Sequence, residues 1–332
     1  MTSEDYACPP GTTLRPTISF EVMPPRNPSA APRFWNTVEQ LVTVQPDFMS
    51  VTYGAAGTDR ATAREVVARL LRSTPVLPIA HLTCVGHSRA DVVAVVDEFL
   101  SAGVRSFLAL RGDPPAGQPE WQPTPGGVNS SVELIALLRD RERQRCASHP
   151  GNALRGAAQP LTIAVATFPA GNPAAGTTPE QEIERLLVKQ AAGASFAITQ
   201  LFYEPATYAD FVTRARYAGV QIPILAGILP ATDPARLNRV AELLGVQAPQ
   251  DLLDSLTAAG SDEDQYERGI AATIQLARDV LDAGAPGLHI YTFNKAKPAL
   301  DILTGLDLIP HVQPPHQHDT LTAPAVAKGI PA

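Results

Sequence analysis

The hydrophobic and polar positions of this chain follow two alternating periods. Short aliphatic or β-branched runs recur at Thr17–Met23, Phe48–Thr52, Leu77–Cys84, Arg105–Leu110, Leu161–Thr167, Phe196–Gln200, Pro223–Ala226 and Gly287–Tyr291. That is the composition of buried strands. Between them, apolar residues fall at helical spacing: Phe34, Val38, Leu41 and Val42 within Arg33–Val44, and likewise in Arg60–Leu71, Arg89–Ala102, Ser131–Arg145, Pro179–Ala192, Tyr208–Tyr217, Ala235–Leu244 and Glu267–Ala283. A shorter helix is expected after Asn294. Strands that alternate with helices imply parallel pairing through helical crossovers. Eight such units in one chain predict an α/β fold, a single (β/α)8 TIM barrel over residues 17–309. An open doubly wound sheet is the alternative, but no GxGxxG or GxxxxGK[ST] follows any strand. Residues 1–16 read as an N-terminal extension. Residues 310–332, proline-rich and without periodicity, read as a flexible C-terminal tail.

Composition narrows the partners. The chain has 332 residues, 45% of them hydrophobic, which suffices for a large core. Its net charge of −7 and the lack of a long basic run argue against nucleic acid and anionic membrane as partners. No apolar run approaches the roughly 18 residues of a membrane span, and Met1–Pro16 has no signal-peptide core, so a cytoplasmic location is expected. The three cysteines, Cys8, Cys84 and Cys146, are too far apart for a metal knuckle or redox pair. His316 and His318 in the tail could ligate a metal, but solvated tail residues are the simpler reading, and no metal is expected.

In such barrels the chemistry sits at the C-terminal ends of the strands. The stretch Thr17–Pro25 starts as an apolar strand and is stopped by Pro24 and Pro25. Strand alternation places Ser19 and Glu21 on one face and Phe20 and Val22 on the other. A carboxylate near the end of an apolar strand is either a side chain reaching solvent or a tuned acid at the barrel mouth. The other strand ends carry Thr52, His81, Arg111-Gly112-Asp113, Phe168, Thr199-Gln200, and His289 with Tyr291. Alone, His81 reads as a satisfied core histidine and Asp113, before Pro114, as a turn residue. Gathered at one end, they read as a site. The Pro- and Gly-rich Ala116–Gly127, with Trp121, reads as a long loop beside it.

Seven stretches at these strand ends fall in a familiar order: Ser19-Phe20-Glu21-x-x-Pro-Pro, Val51-Thr52-Tyr53-Gly54, His81-Leu82-Thr83-Cys84, Ala109-Leu110-Arg111-Gly112-Asp113-Pro114-Pro115, Gly193-Ala194 leading to Thr199-Gln200-Leu201-Phe202, Gly227-Ile228-Leu229-Pro230, and His289-Ile290-Tyr291-Thr292-Phe293-Asn294. In these the chain resembles the methylenetetrahydrofolate reductases, the bacterial catalytic barrel in particular, from Ile18 to Lys295. The resemblance implies an oxidoreductase of one-carbon metabolism. It would reduce 5,10-methylenetetrahydrofolate to 5-methyltetrahydrofolate, with NADH (or NADPH) as ultimate donor and FAD normally carrying the hydride. It implies Glu21 as the general acid and Asp113 as a carboxylate beside pterin and flavin. Gln200 would be the pterin's hydrogen-bond partner, and Lys295 would lie near the folate glutamate. Cofactor contacts would come from Thr52, His81, Arg111, Gly112, Asp113, Phe168, Glu182 and Lys189. No regulation through the C-terminal domain of some eukaryotic relatives is expected.

Three places depart from that family pattern. The usual Tyr-Pro-Glu-x-His-Pro reads Phe168-Pro169-Ala170-Gly171-Asn172-Pro173; an aromatic before the fourth long helix is replaced within Asn129-Ser130-Ser131; and the aromatic expected after Gly-Ile-Leu-Pro falls at Pro234. Each stacking surface lost weakens binding by about 1 kcal/mol. These departures bear on FAD, and NADH can itself deliver a hydride to an iminium held against it. Three readings stand: reduction by NADH with FAD weak or absent, the same reaction through bound FAD, and a folate- or nucleotide-binding paralogue without turnover.

Overall fold

A computed structural model of the chain describes residues 15–53, 60–84, 87–112 and 126–309. Asp113, the 116–125 part of the Pro- and Gly-rich loop, the extension before Arg15 and the tail from residue 310 lie outside the described residues.

Eight parallel strands close into a barrel in chain order: β1 (Thr17–Val22), β2 (Phe48–Val51), β3 (Leu77–Thr83), β4 (Ser106–Leu110), β5 (Thr162–Thr167), β6 (Phe196–Thr199), β7 (Ile224–Ile228) and β8 (Gly287–Tyr291). β8 pairs with β1, so the sheet has no free edge. Around it run α1 (Ala31–Val42), α2 (Arg60–Ser73), α3 (Arg89–Ser101), α4 (Ser131–Ser148), α5 (Pro150–Ala158), α6 (Pro179–Ala191), α7 (Pro205–Tyr217), α8 (Pro234–Leu244), α9 (Gln250–Thr257), α10 (Asp262–Asp282) and α11 (Ala296–Gly305). Every expected strand is present. The sequence reading lacked α5 and α9 and began α7 and α10 several residues late. α5 buries no residue, and α9 is only eight residues long, its apolar face limited to Leu252, Leu253 and Leu256, too short a span for a helical period to stand out.

Side-chain alternation sorts the barrel into two cores. The outward residues of β1 (Ile18, Phe20, Val22), with Met49, Val51, Phe107, Ile163, Leu288 and Ile290, pack under the helices in the main apolar cluster. The lumen is plugged at its lower end by Phe48, Ile79, Leu108, Ala164, Ile198 and Leu225. A smaller third cluster joins Leu201, Leu229, Ala231, Leu237, Val240 and Leu256 to Tyr203 and Tyr291, and sits under α8 and α9 at the rim.

Helix starts are set locally. Thr178 caps α6 in a reciprocal box with Gln181, followed by Pro179 at the first turn. Ser88 and Asp91 do the same for α3. Asp233 caps α8 by accepting from Ala235 N and Arg236 N. Among the described residues no helix is long and apolar enough to cross a membrane.

Candidate active site

The plug ends one layer below the chemistry. Above it the lumen turns polar, because the next inward positions are Ser19, Ser50 and His289, all buried. His289 Nδ1 lies 2.9 Å from Ser19 Oγ, and Ser19 Oγ also donates to the Leu288 carbonyl at 3.0 Å. His289 Nε2 is 3.3 Å from Ser50 Oγ. The imidazole stacks on Phe48 and meets Tyr291 edge-on. Burial, with His81 nearby, pulls His289 down to about 3, so it stays neutral. This hydrogen-bonded floor separates the apolar plug from the mouth.

Glu21 and His81 stand on that floor. Two residues beyond Ser19, Glu21 points to the same side, as alternation requires. Its side chain is 22% exposed, and Oε2 lies 3.7 Å from His81 Nε2. Burial raises Glu21 from the usual carboxylate range to about 7, and lowers His81 to about 3. At neutral pH the imidazole is therefore uncharged and does not pull the carboxyl back down. Glu21 is not a freely solvated side chain past the strand end; partly exposed at the mouth, it is a carboxylic acid held half-protonated near pH 7. His81 Nε2 and Thr52 Oγ1, both buried in the mouth, have no hydrogen-bond partner. Orphaned polar atoms in a concave site are what a polar ligand would satisfy.

Tyr291 and Gln200 line the mouth on the β6–β8 side. Tyr291, paired in register with Glu21, donates from its hydroxyl to the Thr199 carbonyl at 2.7 Å. It lies across Gly227: a Cβ there would come within 2.9 Å of the Tyr291 ring and 2.2 Å of Thr199 O. Only glycine leaves room for that ring. Burial, with Glu21 adjacent, pushes the Tyr291 hydroxyl far up, so it remains a neutral donor. Gln200 uses its side-chain Oε1 to accept from Leu201 N at 2.9 Å. That fixes the amide and leaves its NH2 group as the face offered to a ligand.

β1 and β8 are locked together at the mouth by Asn294. Its side chain accepts from Met23 N at 2.9 Å and donates to Met23 O at 2.6 Å, while Thr292 Oγ1 donates to Glu21 O. Phe293 and Asn294 both take left-handed backbone conformations, φ 46° and 57°. This clamp was not foreseen from the sequence; an Asn just past a strand end was its one signal. Beside it opens a cleft of about 360 Å³ walled by Arg26, Arg33, Phe293 and Lys295.

The other expected cofactor residues divide. Arg111 is exposed on the rim with Gly112 (φ 85°) after it, and Phe168, half-buried, follows β5. Glu182 and Lys189 are hydrogen-bonded within the protein. Glu182 is 1% exposed, accepts from Thr177 Oγ1 at 2.6 Å and pairs with Arg185. Lys189 donates to the Ala166 carbonyl at 2.7 Å, and burial lowers it to about 8. Both hold the β5–α6 connection in place, where Asn172 bridges Thr177. Of the expected flavin contacts, Glu182 and Lys189 are committed to the protein itself, while Thr52 and His81 keep unpartnered polar atoms in the mouth. The Phe168 ring carries no hydroxyl. No three His, Cys, Asp or Glu among the described residues are grouped to hold a metal.

Comparison with known proteins agrees with this geometry. A nematode protein, the probable methylenetetrahydrofolate reductase (NADPH) of Caenorhabditis elegans, is 32% identical over 88% of this chain and 42% of its own length. A rice protein named probable methylenetetrahydrofolate reductase (NADH) is 29% identical over 89% of this chain and 49% of its own. The chain thus spans about half the length of these relatives. The 5,10-methylenetetrahydrofolate reductase of Salmonella typhimurium is 28% identical, over 88% of this chain and 91% of its own. Among solved structures, a Clostridium thermocellum protein described as binding two copies of 5-methyl-5,6,7,8-tetrahydrofolic acid superposes with a TM-score of 0.59, over 88% of this chain and 96% of that one. At 13% identity that likeness speaks to the fold alone. The family model for methylenetetrahydrofolate reductase matches residues 12–307. The chain belongs to the methylenetetrahydrofolate reductase family.

Proposed function

We propose that the chain reduces 5,10-methylenetetrahydrofolate to 5-methyltetrahydrofolate, taking the hydride from NAD(P)H directly. The observation that carries this is Glu21: a carboxylic acid raised to about 7 by burial, beside an uncharged imidazole, at the bottom of the mouth. The methylene bridge accepts a hydride only after it opens to the 5-iminium cation, and opening places a proton on N10. An ordinary carboxyl, near 4.5, would be almost wholly ionised at pH 7; Glu21 is not. The donor then supplies two electrons as hydride to the methylene carbon. One hydride and one proton are consumed, and NAD(P)+ leaves.

The remaining residues position and stabilise. Gln200 offers amide hydrogens to the pterin's acceptor atoms. Tyr291, pinned to Thr199, gives the substrate a rigid wall beside the acid. Asp113, which by the family resemblance lies beside the pterin, supplies the negative charge that favours the iminium. Direct transfer, with no flavin between donor and folate, is supported by the commitment of Glu182 and Lys189 to Thr177, Arg185 and Ala166. Proximity within one mouth then replaces the carrier.

The test is to strip the purified protein of any flavin and follow NADH absorbance after adding methylenetetrahydrofolate. Substrate-dependent loss without FAD is the expected result. Loss only after FAD is restored would overturn direct transfer and keep the reaction. No loss in either case would favour a paralogue without turnover.

A further inference from the structure

A second cavity, of about 290 Å³, opens between the start of α7, the start of α9 and the flank of α10, and shares no residue with the cleft beside Lys295. Its floor is rigid. Thr273 Oγ1, on α10, donates to the Gly269 carbonyl at 2.7 Å and accepts from Ala231 N at 3.1 Å, which ties α10 to the β7–α8 connection. Gly269 lets the two meet, since a Cβ there would stand 2.2 Å from Ala231 O. Leu229 and Leu276 add buried apolar wall. Ligand cavities run upward from about 300 Å³, so this one suits a small molecule.

Three of its polar groups have no full use within the fold. The Tyr203 hydroxyl is buried and has no hydrogen-bond partner. Burial pushes it up to about 12, so it stays a neutral phenol. Glu204 holds the N-cap position of α7, yet its side chain makes no capping bond. Asp251, in the first turn of α9, accepts from the adjacent Leu252 N at 2.9 Å. Both carboxylates are exposed at the rim. Among the described residues neither forms an ion pair, and no lysine, arginine or histidine lines the cavity. Apolar walls with two uncompensated carboxylates and an unpaired hydroxyl select a cation that has hydrogens to donate and an apolar body to bury.

We propose that this cavity is a binding site for a small primary ammonium with an apolar body, in which Glu204 and Asp251 meet the charge and the Tyr203 oxygen accepts one of its hydrogens. The site is separate from the reacting centre and does not depend on the folate reading. Tyr203, Leu229, Ala231 and Leu252 belong both to the cavity and to the rim cluster that includes Tyr291. Occupancy therefore braces that side of the mouth.

The test titrates 2-phenylethylammonium into the full chain by calorimetry, with neither folate nor nucleotide present. The expected result is saturable binding by the parent, weakened about threefold to tenfold in Tyr203→Phe, which deletes one hydrogen-bond partner. The double variant Glu204→Gln with Asp251→Asn should weaken it about fivefold. The uncharged 2-phenylethanol should bind the parent about fivefold more weakly than the ammonium. Ala272→Phe, half-buried on the α10 wall, fills the space and should abolish binding. Because the carboxylates are exposed and the phenol is unpaired, the Tyr203→Phe protein and the double variant should melt within about 2 °C of the parent. With the ammonium bound, backbone amides of 229–257 should exchange more slowly. No saturable binding by the parent, equal binding of 2-phenylethanol, parent-like binding by Tyr203→Phe, or binding that survives in folded Ala272→Phe overturns the proposal.

Discussion

Glu21 sets up a conflict between stability and chemistry that can be measured from both sides. Burial raises its carboxyl from 4.5 to about 7. At pH 7 about half the molecules then carry the proton, against about 0.3% for an unshifted carboxyl. The same shift is a penalty on the folded state. Between pH 4.5 and 7 the folded protein holds a proton the unfolded chain has released, so stability falls as pH rises through that window. By pH 8 the loss reaches about 3 kcal/mol. Replacing Glu21 with Gln keeps the shape and removes the charge. Glu21→Gln should therefore lose about 10²- to 10⁴-fold in turnover. It should also unfold at higher denaturant than the parent at pH 8, with the gain shrinking toward pH 5. The assay is NADH consumption and urea unfolding across the same pH series. Parent turnover should fall as pH rises above about 7, the Glu21→Gln remnant should lack that limb, and His81→Lys, by placing a cation beside the carboxyl, should move the limb to lower pH. Turnover of Glu21→Gln within tenfold of the parent, or no stability gain at pH 8, would refute the reasoning.

Other outcomes follow from the same coordinates. His289 is neutral in the fold and charged in the unfolded chain below about 6.5, so it contributes a loss of about 1.4 kcal/mol per pH unit on acidification toward 3; His289→Gln should flatten that slope in urea titrations. Gly227→Ala would drive a methyl into Thr199 O and the Tyr291 ring, and should lower unfolding free energy by about 2 kcal/mol or more. Asn294→Ala loses both bonds to Met23 and puts a Cβ-bearing residue without a side-chain amide at φ 57°; the expected loss is about 2–4 kcal/mol, and Asn294→Gly should lose less because glycine accepts the backbone.

The barrel was legible because each strand is a short apolar run, most of them closed by glycine or proline, and because Glu21 breaks such a run with a charge. Its direction followed from alternation alone, since Ser19, Glu21 and the apolar Phe20 could not share a face. α5 was invisible for the opposite reason: the segment Pro150–Ala158 buries nothing, so no periodicity marks it. Glu182 and Lys189 were placed among the cofactor contacts by resemblance. Their partners, the Thr177 hydroxyl and the Ala166 carbonyl, depend on how the β5–α6 connection folds back, and Ala166 lies 23 residues from Lys189. The burial of Arg105 against Glu142 likewise depends on α4 docking back beside β4, and the clamp between Asn294 and Met23 on closure of β8 against β1. Local pattern records which face a residue takes, and closure decides which residues then meet.

The small cluster of Leu201, Leu229, Ala231, Leu237, Val240, Ala248 and Leu256 under α8 and α9 divides the rim into unequal halves. One half is continuous with the main core; the other rests on seven buried residues of its own and includes the wall that Tyr291 forms. Such a satellite can open without unfolding the barrel, as a cooperative unit of lower stability. Backbone amides of 229–257 should then exchange with solvent earlier than those of β1 to β5. The mouth would behave as a fixed jaw carrying the acid and a yielding jaw that admits and releases what it acts upon.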